Sequence, residues 1–426
     1  MARRLNVTDG YAFINTVASE MLGENATITA IDASSFASVG ESILASGIEN
    51  VLNTLALVAS RDLVAIRPYR AKFRIMNELD SGMFSNRIRK ISYFAKGAVP
   101  TGASNTQLFA ENLAMDADNG VHYDTSTPPV QMSTESMWLQ STPVVWQSYF
   151  GGAIEWQYPY TLYENALKEA FRSPEEFTEF LNGFMVSCAN DIETEKEAFS
   201  RALVLNAIAG VIDMSADMPN SAINMRTAFN TRFGTSYTSA QLMTTYFSEF
   251  VAFFISTVKT LSDKLENRST LFHWSPTKTV NGVSYYLPRQ TKKDDQRMMM
   301  ISSFWNDAEA LVMPAIFNDQ YLTDPAKQFE KVDYWQNINE PMKISVTPAI
   351  PDTSDPTTQI AGSAVSLNYV LGIIYDRDAM MTDFHLENVA TTPLEARKHY
   401  RTVWNTINKN PIWDPTENFI VLYLAD

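Results

Sequence analysis

The pattern with the clearest chemical potential is a pair of aspartates, Asp376 and Asp378, which follow the hydrophobic stretch "YVLGIIYD" as an Asp-x-Asp motif. Enzymes that process sugar nucleotides use such a pair to hold a divalent cation against a diphosphate. Aspartates also end strands for a structural reason, because their side chains accept hydrogen bonds from turn backbone. We favour the structural interpretation and keep a metal-dependent glycan-processing enzyme as the alternative.

Other catalytic and cofactor motifs are missing from the sequence. It contains no G-x-x-x-x-G-K-[ST], G-x-G-x-x-G, G-x-S-x-G or H-E-x-x-H pattern. The four histidines (His122, His273, His385 and His399) are scattered along the chain. Cys188 is the only cysteine, which excludes an internal disulfide and a thiolate metal cluster. We therefore expect no catalytic, cofactor-binding or metal-binding residues, and we interpret the protein as a non-enzyme.

Composition and charge narrow the classes of protein to which the chain could belong. The chain has 426 residues, of which 45% are hydrophobic, so it can build more than one packed domain. Only 19% are charged, which suggests that other copies of the chain cover part of its surface. The net charge of -15 argues against a nucleic-acid binder that relies on a positive field, but not against a protein that encloses nucleic acid. The longest apolar run, "FVAFFI", is too short to cross a bilayer, and no signal peptide is visible.

A long amphipathic helix is predicted over residues 173–210. Ser173 suits the N-cap, and Glu176 completes a capping box. Apolar residues then recur at helical spacing, and Gly210 suits the C′ position. Gly183 lies inside the pattern and marks a possible break. We expect this helix of about ten turns to lie across a sheet.

The other elements mix strands and helices, which predicts an α+β fold. Residues 86–95 and 136–150 are predicted strands, joined by a long polar segment into a hairpin that projects onto a partner. A helix is predicted from Thr238 to about Lys264. A second hairpin is predicted from "MTDFHLENV" and "HYRTVWNTIN", and further strands from "RMMMISS", "YVLGIIYD" and "NFIVLYLA".

This order of elements resembles the major capsid (head) protein of tailed bacteriophages, which has the Hong Kong 97 capsid fold. The stretches "LALVASRDLVAIRPY", "YENALKEAF", "VLGIIYDRDAMM" and "YRTVWNTI" are closest to head proteins of small short-tailed phages of the phi-29 type. The resemblance implies the following map: N-terminal arm, 1–50; connecting segment, 51–76; E-loop hairpin, 77–152; P-domain with a long spine helix, 153–211 and 379–408; mixed α/β A-domain, 212–378 and 409–426.

The resemblance also implies a function and a set of partners. The chain would self-assemble, through hexamers and pentamers, into the icosahedral or prolate shell of a phage head. That shell would enclose double-stranded DNA without sequence-specific binding. Scaffolding and portal proteins are implied partners, and a membrane is not. The protein would be part of the virion capsid and would assemble in the host cytoplasm.

Charge is distributed unevenly along the chain. Residues 61–96 hold nine Lys or Arg against three Asp or Glu, whereas residues 97–200 hold three against fifteen. In the family that the chain resembles, the E-loop of one subunit lies over the spine helix of the next. We therefore predict an inter-subunit contact in which basic residues of the hairpin face acidic residues of the helix. The basic residues are Arg87, Arg89 and Lys90, and the acidic residues are Glu193 and Glu197.

Overall fold

The computed structural model describes most of the chain beyond residue 172 and separate segments before it. The described residues are 29–45, 76–79, 87–94, 144–151, 154–163, 173–276, 278–280, 283–316, 329–352 and 359–426 without 394 and 396, together with Phe73 and some positions between 11 and 19. The helices are α1 (Ala33–Ala45), α2 (Pro174–Asp213), α3 (Met225–Phe233), α4 (Ser239–Leu242), α5 (Phe247–Leu265) and α6 (Ser302–Ile316), with 3-10 turns at Met214–Ala216 and Lys293–Asp295. The strands are β1 (Asn77–Leu79), β2 (Arg87–Tyr93), β3 (Val145–Gly151), β4 (Ile154–Tyr163), β5 (Ala222–Asn224), β6 (Lys278–Val280), β7 (Val283–Tyr285), β8 (Gln296–Ile301), β9 (Phe329–Val332), β10 (Ile344–Val346), β11 (Ala349–Pro351), β12 (Gln359–Ala361), β13 (Val365–Leu367), β14 (Tyr369–Asp376), β15 (Met380–Thr391), β16 (Tyr400–Trp413) and β17 (Phe419–Leu424).

Helix α2, called the spine helix below, begins where the sequence predicts. The Ser173 hydroxyl accepts a hydrogen bond from the backbone N–H of Glu176 at 3.2 Å, which satisfies one of the free donors of the first turn. The helix continues without a break through Gly183. It packs against β15, β16 and β17, so the prediction that it lies across a sheet is confirmed.

The predicted end of the spine helix is wrong. The helix passes through Gly210 and ends at Asp213. A Cβ placed on Gly210 would lie 2.2 Å from a ring carbon of Trp413, which is buried at the end of β16. Gly210 therefore lets the helix and the strand approach closely, because it has no side chain, and it does not act as a left-handed cap.

The described strands form two main sheets. One has four strands in the order β1-β15-β16-β4, and the other has five in the order β5-β17-β14-β8-β9. In the first sheet, β15 and β16 are antiparallel from the pair Met380 and Trp413 to the pair Thr391 and Val403, which confirms the second predicted hairpin. In the second sheet, β14 pairs with β17 on one side and with β8 on the other.

Two short turns connect the strands of one sheet to those of the other. Residues 377–379 connect β14 to β15, and residues 414–418 connect β16 to β17; these two turns together are called the joint below. Backbone hydrogen bonds continue through the joint. The N–H of Asp376 donates to the carbonyl of Asn418, and the N–H of Asp414 donates to the carbonyl of Ala379, both at 2.9 Å.

Strand β4 is an element that the sequence analysis missed. It pairs with β16 along its whole length, from Ile154 opposite Lys409 to Tyr163 opposite Tyr400. Pro159 interrupts the strand-like sequence, and proline has no N–H to donate to a central ladder. Among the described strands β4 lies at the edge of its sheet, where a missing donor is tolerated.

The helix predicted from Thr238 is two helices in the structure. The predicted capping box is present, because the Thr238 and Gln241 side chains each accept a hydrogen bond from the other's backbone. Helix α4 ends at Leu242, and α5 starts at Phe247. Residues 243–246 form a turn between them, and there the ring of Tyr246 stacks on Tyr237 with centroids 3.8 Å apart.

A large hydrophobic core surrounds the five-stranded sheet. Helices α5 and α6 meet there through Phe254 and Phe304, whose ring centroids lie 4.9 Å apart. Trp335 and Tyr375 are fully buried in the same core. Burial of side chains of this size supplies most of the stabilisation of the lobe that carries β14 and β17.

One segment of the spine helix meets the length and composition of a membrane span. Among the described residues this segment, Asn190–Ala216, includes the 3-10 turn that follows the helix. It has a mean hydropathy of 1.3 over its most apolar window, but 56% of that window is buried inside the protein. Buried core helices meet the same criterion, so the segment is only weak support for a membrane span.

Candidate functional site at the base of the long hairpin

The aspartate pair has structural roles at the joint. The Thr291 hydroxyl donates to Asp376 at 2.7 Å, and the backbone N–H of Asp378 donates to the other oxygen of Asp376 at 2.9 Å. Burial raises the pKa of Asp376. These contacts close the turn between β14 and β15, and they support the structural interpretation of the motif.

A polar cavity of about 510 Å³ lies beside this turn. Its lining includes Arg268, Arg289, Asp295, Asp376, Asp378 and Glu417. Several of these side chains pair with one another or with neighbours, as Arg289 does with Glu417 at 3.1 Å. Within the described residues, no group of three or more His, Cys, Asp or Glu side chains is placed to hold a metal ion. The enzyme alternative therefore gains no support here.

The histidines are not brought together by the described structure. His273 is fully buried, and its ring nitrogens contact Asn418 Oδ1 at 3.1 Å and the Leu287 carbonyl at 2.6 Å. Burial lowers the pKa of His273 to about 4. His399 is exposed in the turn before β16, whereas His122 and the side chain of His385 lie outside the described part.

The two strands predicted for the long hairpin pair as expected. Strands β2 and β3, together called the ribbon below, are antiparallel from Arg87 opposite Gly151 to Tyr93 opposite Val145. The ribbon pairs with no other strand in the described part of the chain. Residues 95–143, which include the predicted polar tip, lie outside the described residues.

The inner face of the ribbon packs on the lobe that carries the five-stranded sheet. Ser92 is buried and accepts a hydrogen bond from Arg289 Nη2 at 2.7 Å. Trp146 packs edge-on against Trp274, with ring centroids 5.7 Å apart, and also contacts Phe94. Alternate residues of a strand point to opposite faces, so Lys90 shares this inner face with Ser92.

Lys90 forms the charged contact of the inner face. Its Nζ lies 2.5 Å from Asp414 Oδ2 and 2.5 Å from Glu417 Oε1, both in the turn between β16 and β17. The Asp414 side chain is only 1% exposed, and it also accepts hydrogen bonds from the N–H and hydroxyl of Thr416. With Arg289, which pairs with Glu417, the cluster contains two cations and two carboxylates and is neutral overall.

The environment shifts the pKa of Lys90, Asp414 and Glu417 in the cluster. Burial alone would lower the pKa of Lys90, but the two carboxylates outweigh burial and raise it. Burial would raise the pKa of Asp414, but Lys90 and the Thr416 hydrogen bonds outweigh it and lower it. For Glu417 burial is the larger effect, so its pKa is raised despite Lys90 and Arg289. Asp414 is thus the more strongly ionised partner of Lys90.

The outer face of the ribbon is largely uncovered in the single chain. Arg89 is exposed, Ile91 is 41% exposed and Tyr93 is 66% exposed. Arg87 occupies the next alternate position of β2. Arginine and tyrosine are enriched at protein–protein interfaces, so this face has the composition of a contact surface.

The structure separates the five residues of the predicted inter-subunit contact. Lys90 points inward, opposite to Arg89. Glu193 is only 6% exposed, and Glu197 pairs with Arg201 of the next helical turn at 2.8 Å. Lys90 and Glu197 thus form ion pairs within their own chain, and Glu193 is buried within it. The contact between subunits stays a prediction.

The sequence analysis missed the inward role of Lys90 because its partners are remote in sequence. Asp414 and Glu417 lie more than 300 positions further along the chain. Strand alternation alone separates Lys90 from Arg87 and Arg89. It does not say which face meets the rest of the protein.

The architecture is that of the Hong Kong 97 capsid fold. This α+β chain has the spine helix across a sheet and the separate two-stranded ribbon. The fold aligns with the capsid structure of Staphylococcus phage Andhra at 13% identity, covering 85% of this chain and 86% of that chain with a TM-score of 0.50. The capsid of Myoviridae phage XM1 is a looser match at 10% identity, covering 82% of this chain and 90% of that chain with a TM-score of 0.36.

Sequence comparison gives the family. The family model described as Phi29-like phage major capsid protein matches residues 89–423, well over half of the chain. A search of curated proteins finds no match. The chain belongs to the Phi29-like phage major capsid protein family, and it is a subunit that self-associates into the capsid shell of the virion.

Proposed function

We propose that copies of the chain associate as hexamers and pentamers into a closed icosahedral or prolate head that encloses double-stranded DNA. The family match over residues 89–423 carries this proposal. The net charge of -15 suits a shell that encloses DNA without binding it tightly. We further propose that scaffolding and portal proteins take part in assembly, and that assembly occurs in the host cytoplasm. We also propose that the chain is related to head proteins of small short-tailed phages of the phi-29 type.

The division into arm, E-loop, P-domain and A-domain remains a proposal, with adjusted boundaries. The spine helix runs on to Asp213 and β16 to Trp413, so we place the two P-domain boundaries after these residues instead of after 211 and 408. Strand β1 pairs with β15 of the four-stranded sheet, which supports starting the E-loop after Leu79. The five-stranded sheet then lies wholly in the proposed A-domain.

Assembly of the purified chain tests the proposal directly. We expect shells or capsomer-sized oligomers when the protein is expressed with the neighbouring genes of its phage, measured by negative-stain microscopy and light scattering. The control is the chain expressed alone under the same conditions, which shows whether a scaffold is needed. A monodisperse monomer under every condition would contradict the proposal.

The outer face of the ribbon is the surface we propose for the contact between neighbours. It retains Arg87 and Arg89 from the sequence prediction. Asp191 is an exposed carboxylate on the same part of the spine helix as Glu193 and Glu197. Its exposure supports Asp191 as an acidic partner, because it is open to a neighbouring copy.

Charge reversal tests this contact. We expect Arg87→Glu with Arg89→Glu to block assembly while leaving the circular dichroism spectrum unchanged, because each exposed pair contributes only about 0.2–1 kcal/mol but recurs at every boundary of the shell. Lys259→Glu with Lys264→Glu, two exposed positions of α5, is the matched control and should assemble normally. Adding Asp191→Lys should partly restore assembly. Normal assembly of the double reversal would rule out the contact, and failure of the compensating change would rule out Asp191.

A further inference from the structure

The charge cluster of the ribbon lies at a mechanically central place in the fold. Lys90 comes from β2, whereas Asp414 and Glu417 come from the joint between the two sheets. Arg289 closes the cluster from the segment that precedes β8. The orientation of the ribbon is therefore tied to the point where both sheets meet, directly through Lys90 and indirectly through the contact of Ser92 with Arg289.

The ribbon depends on such contacts for its orientation. An isolated two-stranded hairpin is marginally stable in water, and within the described residues the ribbon forms no ladder with a further strand, although β3 lies against β16. Apart from Lys90, the described polar and aromatic contacts of its inner face are Ser92 with Arg289 and Trp146 with Trp274. Lys90 adds two charge-assisted hydrogen bonds, the strongest kind available to a side chain.

Without Lys90 the lobe beneath the ribbon keeps part of this network. Asp414 Oδ1 keeps its two hydrogen bonds from Thr416, whereas Oδ2 loses its contact with the lysine. Glu417 keeps its ion pair with Arg289. Loss of the lysine should therefore loosen the ribbon before it unfolds the lobe.

We propose that Lys90 is a positioning residue for shell assembly: by binding Asp414 and Glu417 it fixes the ribbon at one angle to the joint, so that the outer face meets the neighbouring copy in one orientation. This inference rests on the proposed function, in which the outer face contacts a neighbour. A residue that only stabilised the fold would affect the whole subunit. A positioning residue affects the ribbon and the assembly that depends on it.

Hydrogen exchange of the unassembled subunit tests the positioning step. In Lys90→Met, which keeps the aliphatic stem, we expect amides of β2 and β3 to exchange roughly tenfold faster or more, the scale of a lost charged hydrogen bond. Amides of β14 and β17 should stay within about twofold of the wild type. Arg89→Met, one residue away on the opposite face, is the control for exchange and should leave the ribbon protected.

Assembly of Lys90→Met and Lys90→Arg, measured as particle yield by light scattering, tests the consequence. We expect Lys90→Met to give a yield at least about tenfold lower, with malformed particles, and Lys90→Arg to restore most of it. Faster ribbon exchange with normal assembly would overturn the positioning role, and so would unchanged exchange. If Lys90→Met does not fold, Lys90→Met with Glu417→Gln keeps the cluster neutral and takes its place. Failure of the wild type to assemble would count against the proposed function. Hydrogen exchange of β2 and β3 would then still test whether Lys90 holds the ribbon in place.

Discussion

Replacing Gly210 by alanine is expected to destabilise the folded subunit by about 2–3 kcal/mol, the upper part of the range for overpacking a core. The added methyl group would lie 2.2 Å from the ring of Trp413, closer than any packing contact allows. The ring is buried at the end of β16, so it must shift within a packed core to make room. The gain of about 1 kcal/mol in helix propensity from glycine to alanine is too small to offset this clash.

Gly183→Ala is the matched control, because the same change in the same helix meets no atom within 4 Å. It should stabilise the subunit by about 0.5–1 kcal/mol through helix propensity alone. Denaturant unfolding of both purified variants, followed by circular dichroism, measures the two effects. Shifts of the same sign in the two variants would show that the contact of helix and strand does not control stability.

Acidification is expected to destabilise the subunit through His273. The folded pKa of about 4 lies below the ordinary value of 6.5, because the buried ring resists protonation. Between these two values the unfolded chain binds a proton that the folded chain rejects, so the free energy of unfolding falls as pH falls from 6.5 to 4 and then levels off. At 1.36 kcal/mol per pH unit, the loss attributable to His273 is about 3 kcal/mol.

Variants can separate the loss of stability caused by His273 from the effects of the neighbouring carboxylates. The raised pKa values of Asp376 and Glu417 act in the opposite sense, because a folded state that binds protons more tightly gains stability on acidification. The lowered pKa of Asp414 costs stability only below the ordinary range of an aspartate. His273→Gln should therefore show a smaller fall in the free energy of unfolding between pH 6.5 and 4 than the wild type. His399→Gln, at an exposed position, should keep the wild-type slope, and equal slopes in all three proteins would rule out His273 as the cause.

The sequence predicts those features whose causes are local. Ser173 caps the spine helix through a contact three residues away, and Thr238 with Gln241 forms its capping box in the same way. The role of Gly210 has a remote cause, since this glycine faces a tryptophan some 200 positions later. Propensity assigns such a glycine to a cap, and only the folded chain shows the tryptophan ring against it.

The same distinction applies to the candidate contact surface. The sequence shows a basic segment, and alternation divides Lys90 from Arg87 and Arg89. Only the partners decide which face is internal, and these lie in the joint formed by the far end of the chain. Strand β4 was missed for a related reason, because Pro159 argues against a strand until the strand is known to lie at an edge.

The joint determines how the subunit carries tension. Because short turns join β14 to β15 and β16 to β17, a pull on the far end of the four-stranded sheet is passed through the joint to the five-stranded sheet. Hydrogen bonds of an antiparallel pair lie perpendicular to the strands, so a pull along the strands loads many of them in shear at the same moment instead of opening them one after another. The two sheets are therefore expected to resist stretching together.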